Sequence, residues 1–434
     1  MSRIAEVRVT PILIADPPLL NLQGVHQPYT PRTIVEVITE SGAVGLGETY
    51  GDPDYLRLAR EFGPELVGGD LVANGLGERV AARGRRVGAE RIDDTVQAEG
   101  LRGSRTLAKI ASSVASAFEV AVYDALGHEL GVPVHALLGG KVRDSVEYSA
   151  YLFYRWAEHP EPGEPRDDWG AALDPAGVVA QAHRMAEENG FSSFKLKGGV
   201  FEPDEEVAAI HALRDAFPGQ PLRLDPNGAW SVPTSLAVAG RLEGVAEYLE
   251  DPTTGTANMA EVARRTSLPL ATNMCVTAFD EIPEAFRLDA VQVVLSDHHY
   301  WGGLRATQDL AGVCRTYGVA LSMHSNTHLG ISLAAMTQVA STVPGLRYAC
   351  DTHRPWQTED VITERHRFSD GALKVSDAPG LGVELDRAAL AALHQRWLDH
   401  PPGTGESLDL RRRDDAAAMR RVHPDWTTPK FPRW

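Results

Sequence analysis

Three cysteines in 434 residues, Cys275, Cys314 and Cys350, are too few and too far apart for a disulfide framework. No CxxC pair is present to bind zinc or run a redox cycle, so buried free thiols in a reducing cytoplasm are expected. Basic charge is scarce as well: 42 Lys and Arg stand against 59 Asp and Glu, a formal net charge of −17. Nucleic acid calls for a surface that neutralises phosphates, so it is not an expected partner. No run approaches the roughly 18 apolar residues of a membrane span, and the apolar part of "MSRIAEVRVTPILIADPP" is too short for a signal-peptide core. The expectation is a cytoplasmic protein with no membrane partner. Internal repeats and low-complexity tracts are also lacking.

The chain does have the length for a full enzyme core, and its 43% hydrophobic and 23% charged content suits a soluble globular fold. From about 145 to 355 one pattern recurs, a short apolar run ending in a polar residue and followed by an Ala-rich helical stretch. The runs are "SVEYSAYLFY", "SSFKLKGG", "PLRLDPNG", "AEYLEDP", "LPLATN", "VQVVLSD", "VALSMHSN" and "LRYACDTH", with helices such as 203–217, 233–242 and 302–317 between them. Strands alternating with helices predict parallel βα units, and eight of them predict a closed (β/α) barrel. The Pro-rich "EHPEPGEPRDDWG" after the first run reads as a surface insertion. The first 130 residues differ: "IAEVRVTPILIA" and "TIVEVITESGAVGLGET" alternate like antiparallel strands, with "SG" as a hairpin turn, and a helix follows at 107–129. The apolar link "PPLLNLQGVHQPYTPR" is too long for a turn and predicts a covering loop. The expected division is an α+β cap over 1–135, a barrel over 136–370, and a C-terminal segment over 371–434, with a helix at 386–398, that returns to the cap.

Barrel active sites lie at the C-terminal strand ends, where this sequence places Lys195 and Lys197, Asp225 with Asn227, Glu250, Asn273, Asp297, and His324 with Asn326. Successive ends lie 23 to 28 residues apart, about one βα unit, so these groups converge on one mouth. A single polar strand end is commonplace, because Asp and Asn favour turns; six in succession are not. Asp225, Glu250 and Asn273 offer only oxygen ligands, which favours Mg²⁺, then Mn²⁺, over zinc. The stretch "TTGTANMAEVARRTSLP" brings no further acidic group near its start, leaving Glu250 as the second ligand. Asp297, one strand before His324, can fix the imidazole tautomer and raise its basicity. His298 and His299 read as loop residues. The structural alternatives are a loop cap for Asn273, a charge before a turn proline for Glu250, and barrel filling for Tyr151.

These strand ends, a KxK motif, an oxygen-ligand trio and an Asp–His dyad behind an α+β cap, resemble the enolase superfamily. With Asn as third ligand, "LDPNGAW", "EDP", "LATNM", "HSNTH" and "DTH" narrow the resemblance to the glucarate dehydratase family, over essentially the whole chain. It implies an α/β fold of (β/α)7β type with the cap completed by the C-terminal segment. It also implies a Mg²⁺-dependent hydro-lyase acting on a dicarboxylate acid sugar, converting D-glucarate to 5-dehydro-4-deoxy-D-glucarate and accepting and epimerising the related idarate. Carried over by motif, Lys197 and His324 are the two opposed bases, Asp297 orients His324, and Lys195 holds the substrate carboxylate. Further substrate contacts would be His26, Tyr151, Asn227, Asn326, His353 and Arg413, with Ser112 or Ser113 as candidates on the cap helix. Without the resemblance, Arg413 reads equally well as part of a solvated basic patch. A neutral Asn ligand suits a doubly charged substrate, since three carboxylates would repel it. Homo-oligomerisation is expected by analogy. The alternatives are a dehydratase or epimerase for another aldarate or an aldonate, and a non-catalytic relative that binds metal and acid sugar.

Overall fold

The structure, a computed structural model, describes residues 2–22, 24–71, 75–86, 106–159, 163–400 and 432–434. Strands β1 (Ile4–Ala15), β4 (Tyr29–Thr39) and β5 (Val44–Tyr50) form an antiparallel sheet in the order β1-β4-β5, and β2 (Leu20–Asn21) pairs with β3 (Gly24–Val25) as a small hairpin between β1 and β4. The expected turn joins β4 to β5, with Gly42 at φ 92, a conformation that glycine adopts without a Cβ clash. Helix Leu107–Leu130 starts at Thr106, whose side chain accepts from Lys109 N, and stops at Gly131 in the left-handed region. It lies so close to β5 that a Cβ on Gly45 or Gly47 would collide with the Ala121 or Ala117 carbonyl. This helix is long and apolar enough to cross a membrane by length and composition, but most of it is buried inside the fold, as a core helix requires.

Eight parallel strands follow: β6 (Ser145–Phe153), β7 (Phe194–Lys197), β8 (Leu222–Asp225), β9 (Tyr248–Glu250), β10 (Leu270–Thr272), β11 (Val293–Ser296), β12 (Ala320–Met323) and β13 (Cys350–Thr352). Their order runs β12-β11-β10-β9-β8-β7-β6-β13, each β-to-β step in sequence bridged by helix, and β13 lies parallel to β6. At the β12–β13 seam Ser322 Oγ donates to Ala349 O at 3.0 Å. The result is a (β/α)7β barrel: the eight runs predicted the barrel, and the resemblance implied its (β/α)7β form. β14 (Ala372–Lys374) then pairs antiparallel with β6, and helix Arg387–Asp399 packs on β1, where Arg396 reaches Leu13 O and His394 contacts Pro11 O.

Two connecting segments depart from a plain reading. The β2–β3 hairpin is pinned to the end of β6 by Leu20 N donating to Tyr154 O, so the link does cover the strand end. The Pro-rich segment after β6 is not merely superficial: Asp167 pairs with the fully buried Arg155 at 2.8 Å, and Trp169 packs on Trp356. Cys314 and Cys350 are buried free thiols as expected, whereas Cys275 is half-exposed.

Candidate active site

The barrel mouth opens with the lysine pair. Strand alternation sends Lys195 and Lys197 the same way from β7, and both are buried. Lys197 Nζ lies 2.7 Å from Asp225 Oδ2. Lys195 Nζ lies 2.7 Å from Asp351 Oδ2, 2.5 Å from Glu250 Oε2 and 3.7 Å from Asp225 Oδ2. Within the protein itself, the lysine pair thus faces a cluster of carboxylates. Burial works against the Lys195 ammonium, but Asp351 and Glu250 outweigh it and hold its pKa well above the usual lysine value. Asp351, on β13, escaped the sequence reading. Its signal was an acidic residue inside the strand "CDTH", two positions before His353 and on the same side of the strand.

Asp225, Glu250 and Asn273 end three adjacent strands and lie together. Burial would raise Asp225, yet the Lys197 and Lys195 charges prevail and hold it at about 2. Glu250 goes the other way, raised well above the usual carboxylate range by burial and then by the charge of Asp225. Two such carboxylates strain to stay ionised together without added positive charge, the electrostatic condition a divalent cation relieves. Asn273 Nδ2 donates to Glu250 Oε1 at 3.0 Å, which commits its nitrogen and leaves its oxygen as the donor atom. An all-oxygen set of this kind fits Mg²⁺. Asp251, at φ 37, holds the third member in place by accepting from Asn273 N and Thr272 Oγ1. Burial raises its own carboxyl to about 7.

Around this cluster Tyr151 is fully buried and its hydroxyl donates to Asp225 Oδ2 at 3.0 Å, while its ring meets His353 edge-on at 4.7 Å. The barrel-filling reading of Tyr151 thus coexists with a direct link to the cluster. Asn227, at φ 52, donates its backbone N–H to Asp225 Oδ1 and its amide to Met274 Sδ. Its buried Oδ1 has no hydrogen-bond partner. His353 likewise keeps a buried, unpartnered Nδ1, and burial keeps its imidazole neutral, with a pKa well below the usual value. His26, on the covering segment, pairs with Asp16 at 3.3 Å and stands over Phe153 at the end of β6. Asn326 is half-buried and accepts from Thr327 Oγ1. Ser113 points into its own helix, donating to Lys109 O. Arg413 lies outside the described residues.

The Asp–His pair forms beyond the ligand strands. Asp297 is completely buried, and His324 Nδ1 lies 3.1 Å from its Oδ2, the arrangement in which Nδ1–H donates and Nε2 is left to take a proton. Burial lowers the His324 pKa below the ordinary 6.5, with the Asp297 hydrogen bond opposing it. His298 and His299 are not loop residues: they open the short helix His298–Trp301 and are buried. The reason is Asp297, which caps that helix by accepting from His299 N and also takes the His299 ring at 2.8 Å. His328, in "HSNTH", stands 3.5 Å from the same carboxylate.

This arrangement matches known proteins along its whole length. Residues 177–389 match the enolase C-terminal domain-like family. A protein of Streptomyces coelicolor named probable glucarate dehydratase is 66% identical over 436 residues, covering 99% of each chain. A solved enolase of Thermobispora bispora, in complex with magnesium and formate, is 52% identical with a TM-score of 0.91 over 100% of both chains. A solved enolase of Mycobacterium smegmatis, in complex with tartrate, is 52% identical with a TM-score of 0.89 over 100% of this chain and 98% of that one. With barrel, cap and strand-end chemistry all in agreement, the chain belongs to the enolase superfamily.

Proposed function

We propose that this protein dehydrates D-glucarate to 5-dehydro-4-deoxy-D-glucarate. It is a hydro-lyase of the dehydratase type, and the observation that carries the reading is the placement of Lys197 on β7 opposite the Asp297–His324 pair just past the ends of β11 and β12, flanking the carboxylate–amide cluster at the ends of β8, β9 and β10. The 66% identity to a probable glucarate dehydratase supports the substrate, as does the tartrate, a hydroxylated dicarboxylate, bound to the M. smegmatis relative.

A proton next to a carboxylate is very weakly acidic, so the charge left behind must meet positive groups placed in advance. Mg²⁺ held by Asp225, Glu250 and Asn273 would supply Lewis-acid stabilisation of that charge. Lys195, inside the same cluster, adds a fixed ammonium. Either Lys197 Nζ or His324 Nε2 takes the proton, according to the configuration of the substrate carbon. The hydroxyl on the next carbon leaves as water with a proton from the acid facing it, and the enol so formed tautomerises to the keto acid. Asp297 keeps the His324 tautomer that leaves Nε2 free. Asn227 Oδ1 and His353 Nδ1, buried and unpartnered, would recognise substrate hydroxyl or carboxyl groups. The covering loop with His26 would exclude water.

Purified protein is expected to release a semicarbazide-reactive keto product from glucarate and to lose this activity in EDTA. No product from glucarate or idarate would sink the substrate assignment, and an acid-sugar library would then locate another. Deuterium exchange from solvent at the substrate α-carbon distinguishes a catalyst from a mere binder. Lys197→Ala and His324→Ala should each abolish exchange from one face; unchanged exchange in both refutes the two-base mechanism.

A further inference from the structure

Asp297 has two oxygens, and only one faces the base. Its Oδ2 meets His324, whereas its Oδ1 accepts from the His299 ring at 2.8 Å, a shorter contact than the 3.1 Å to His324. The other ring nitrogen of His299, Nε2, lies 3.1 Å from Ser332 Oγ and 3.1 Å from Glu48 O. Burial keeps the His299 imidazole neutral below its ordinary pKa. A neutral ring that donates from Nδ1 must accept at Nε2, and Ser332 is the group there that can donate. Ser332 Oγ–H can donate to His299 Nε2, whose other neighbour, Glu48 O, can only accept; on the far side of the ring His299 Nδ1–H donates to Asp297, and His324 Nδ1–H donates to Asp297 from the opposite side. Ser332 is in turn anchored by its backbone N–H, which donates to Glu48 Oε2 of β5, so the chain of bonds ends in the cap.

We propose that His299 is a positioning residue for the base His324: by donating to the far oxygen of Asp297 it fixes the carboxylate and divides its charge, so that less of it is available to hold a proton on His324. The proposal rests on the reading of His324 as a base, but its central measurement does not depend on any substrate. A carboxylate that accepts two imidazole hydrogen bonds is a weaker partner for each than one that accepts a single bond. The other groups facing this pair are accounted for. From β5, Tyr50 OH lies 3.5 Å from Asp297 Oδ2; from the helix after β11, Tyr300 stacks on His324 at 5.8 Å. His328 approaches Asp297 Oδ2 at 3.5 Å, and across the mouth Lys195 and Asp351 act on His324 with opposite signs. His298, behind His299, is kept neutral by burial, and Arg32 adds its charge from β4. Only His299 engages Oδ1 with a side chain among the described residues.

The test is the titration of His324 in the full-length protein without substrate, read by NMR with ring-labelled histidine and assigned by loss of the signal in His324→Asn. In His299→Ala the undivided Asp297 charge should raise the His324 midpoint by roughly half a pH unit or more. His299→Asn, whose amide nitrogen can stand in for Nδ1–H, should leave it near the wild-type value. An unchanged midpoint in His299→Ala overturns the proposal. If the alanine variant does not fold, His299→Gln, which places its amide at the Nε2 level and cannot serve Asp297, should shift the midpoint where His299→Asn does not; the reverse order overturns the proposal. With an active substrate in hand, the acid limb of kcat/KM in His299→Ala should move to higher pH by the same amount, rescued in His299→Asn. Exchange from the Lys197 face should be unaffected. Failure of every acid sugar would sink the substrate assignment while leaving the titration result standing.

Discussion

At the scale of single residues the mouth is governed by charge compensation in a buried space. Lys195 neutralises parts of three carboxylates, Asp351, Glu250 and Asp225, none of which reaches solvent. Lys195→Met should therefore destabilise the metal-free protein by about 3–5 kcal/mol, the cost of leaving buried carboxylates unpaired. Added Mg²⁺ should recover more of the thermal midpoint in this variant than in the wild type, and calorimetry with and without the ion checks both parts. His324 makes a prediction of a different kind. Its folded pKa lies below 6.5, so the free-base form persists into mildly acid solution and is lost only as pH falls through that lowered value. The acid limb of kcat/KM for a substrate deprotonated by His324 is expected below pH 6.5; a limb above it would contradict the burial argument. Strain is concentrated here too. Asn227, Asp251 and Thr327 all adopt positive φ beside the mouth, and the β-branched Thr327, at φ 54, is the costliest of them.

At the scale of elements, buried acids hold helix starts. Glu48 accepts from Leu329 N and Ser332 N at the head of helix Gly330–Thr342, and Arg32 keeps it charged against burial. Glu119 does the same for helix Leu304–Tyr317, accepting from Leu304 N and Arg305 N, but here burial outweighs those bonds and the Arg305 charge and raises its pKa to about 7. A carboxyl with a folded pKa above its unfolded 4.5 contributes stability that is complete below about pH 4.5 and lost as pH rises to about 7. Glu119→Gln should escape that loss, so the thermal midpoint of the variant relative to wild type should climb between pH 5 and pH 8. A flat difference would remove the ionisation from the account. These contacts also mark what a linear sequence conceals. The eight strand runs and their polar ends were legible because strand period and βα spacing are local. Asp351, Asp251 and His299 were not, because each acts on a group brought beside it by barrel closure or by a helix cap. Arg155 and Asp167 joined an apparent surface loop to the interior for the same reason.

At the scale of the whole molecule, an acidic chain of net charge −17 encloses a mouth that gathers lysines and carboxylates without access to bulk water. A cation bound only by the native fold stabilises it by mass action, so Mg²⁺ at about 100 times its dissociation constant should add about 2.7 kcal/mol. A rise in thermal midpoint with Mg²⁺, absent in Asp225→Asn, checks this without any substrate. The closeness of β5 to helix Leu107–Leu130 has a mechanical consequence. Gly45 and Gly47 leave no gap between strand and helix, and the same strand continues to Glu48, which is locked to the barrel helix Gly330–Thr342. Strand, helix and barrel wall are therefore packed as one block along this side of the cap. The small β2–β3 hairpin, held to the barrel through Leu20 N and Tyr154 O, takes no part in these contacts. In hydrogen exchange, the amides of the hairpin should open long before those of β5.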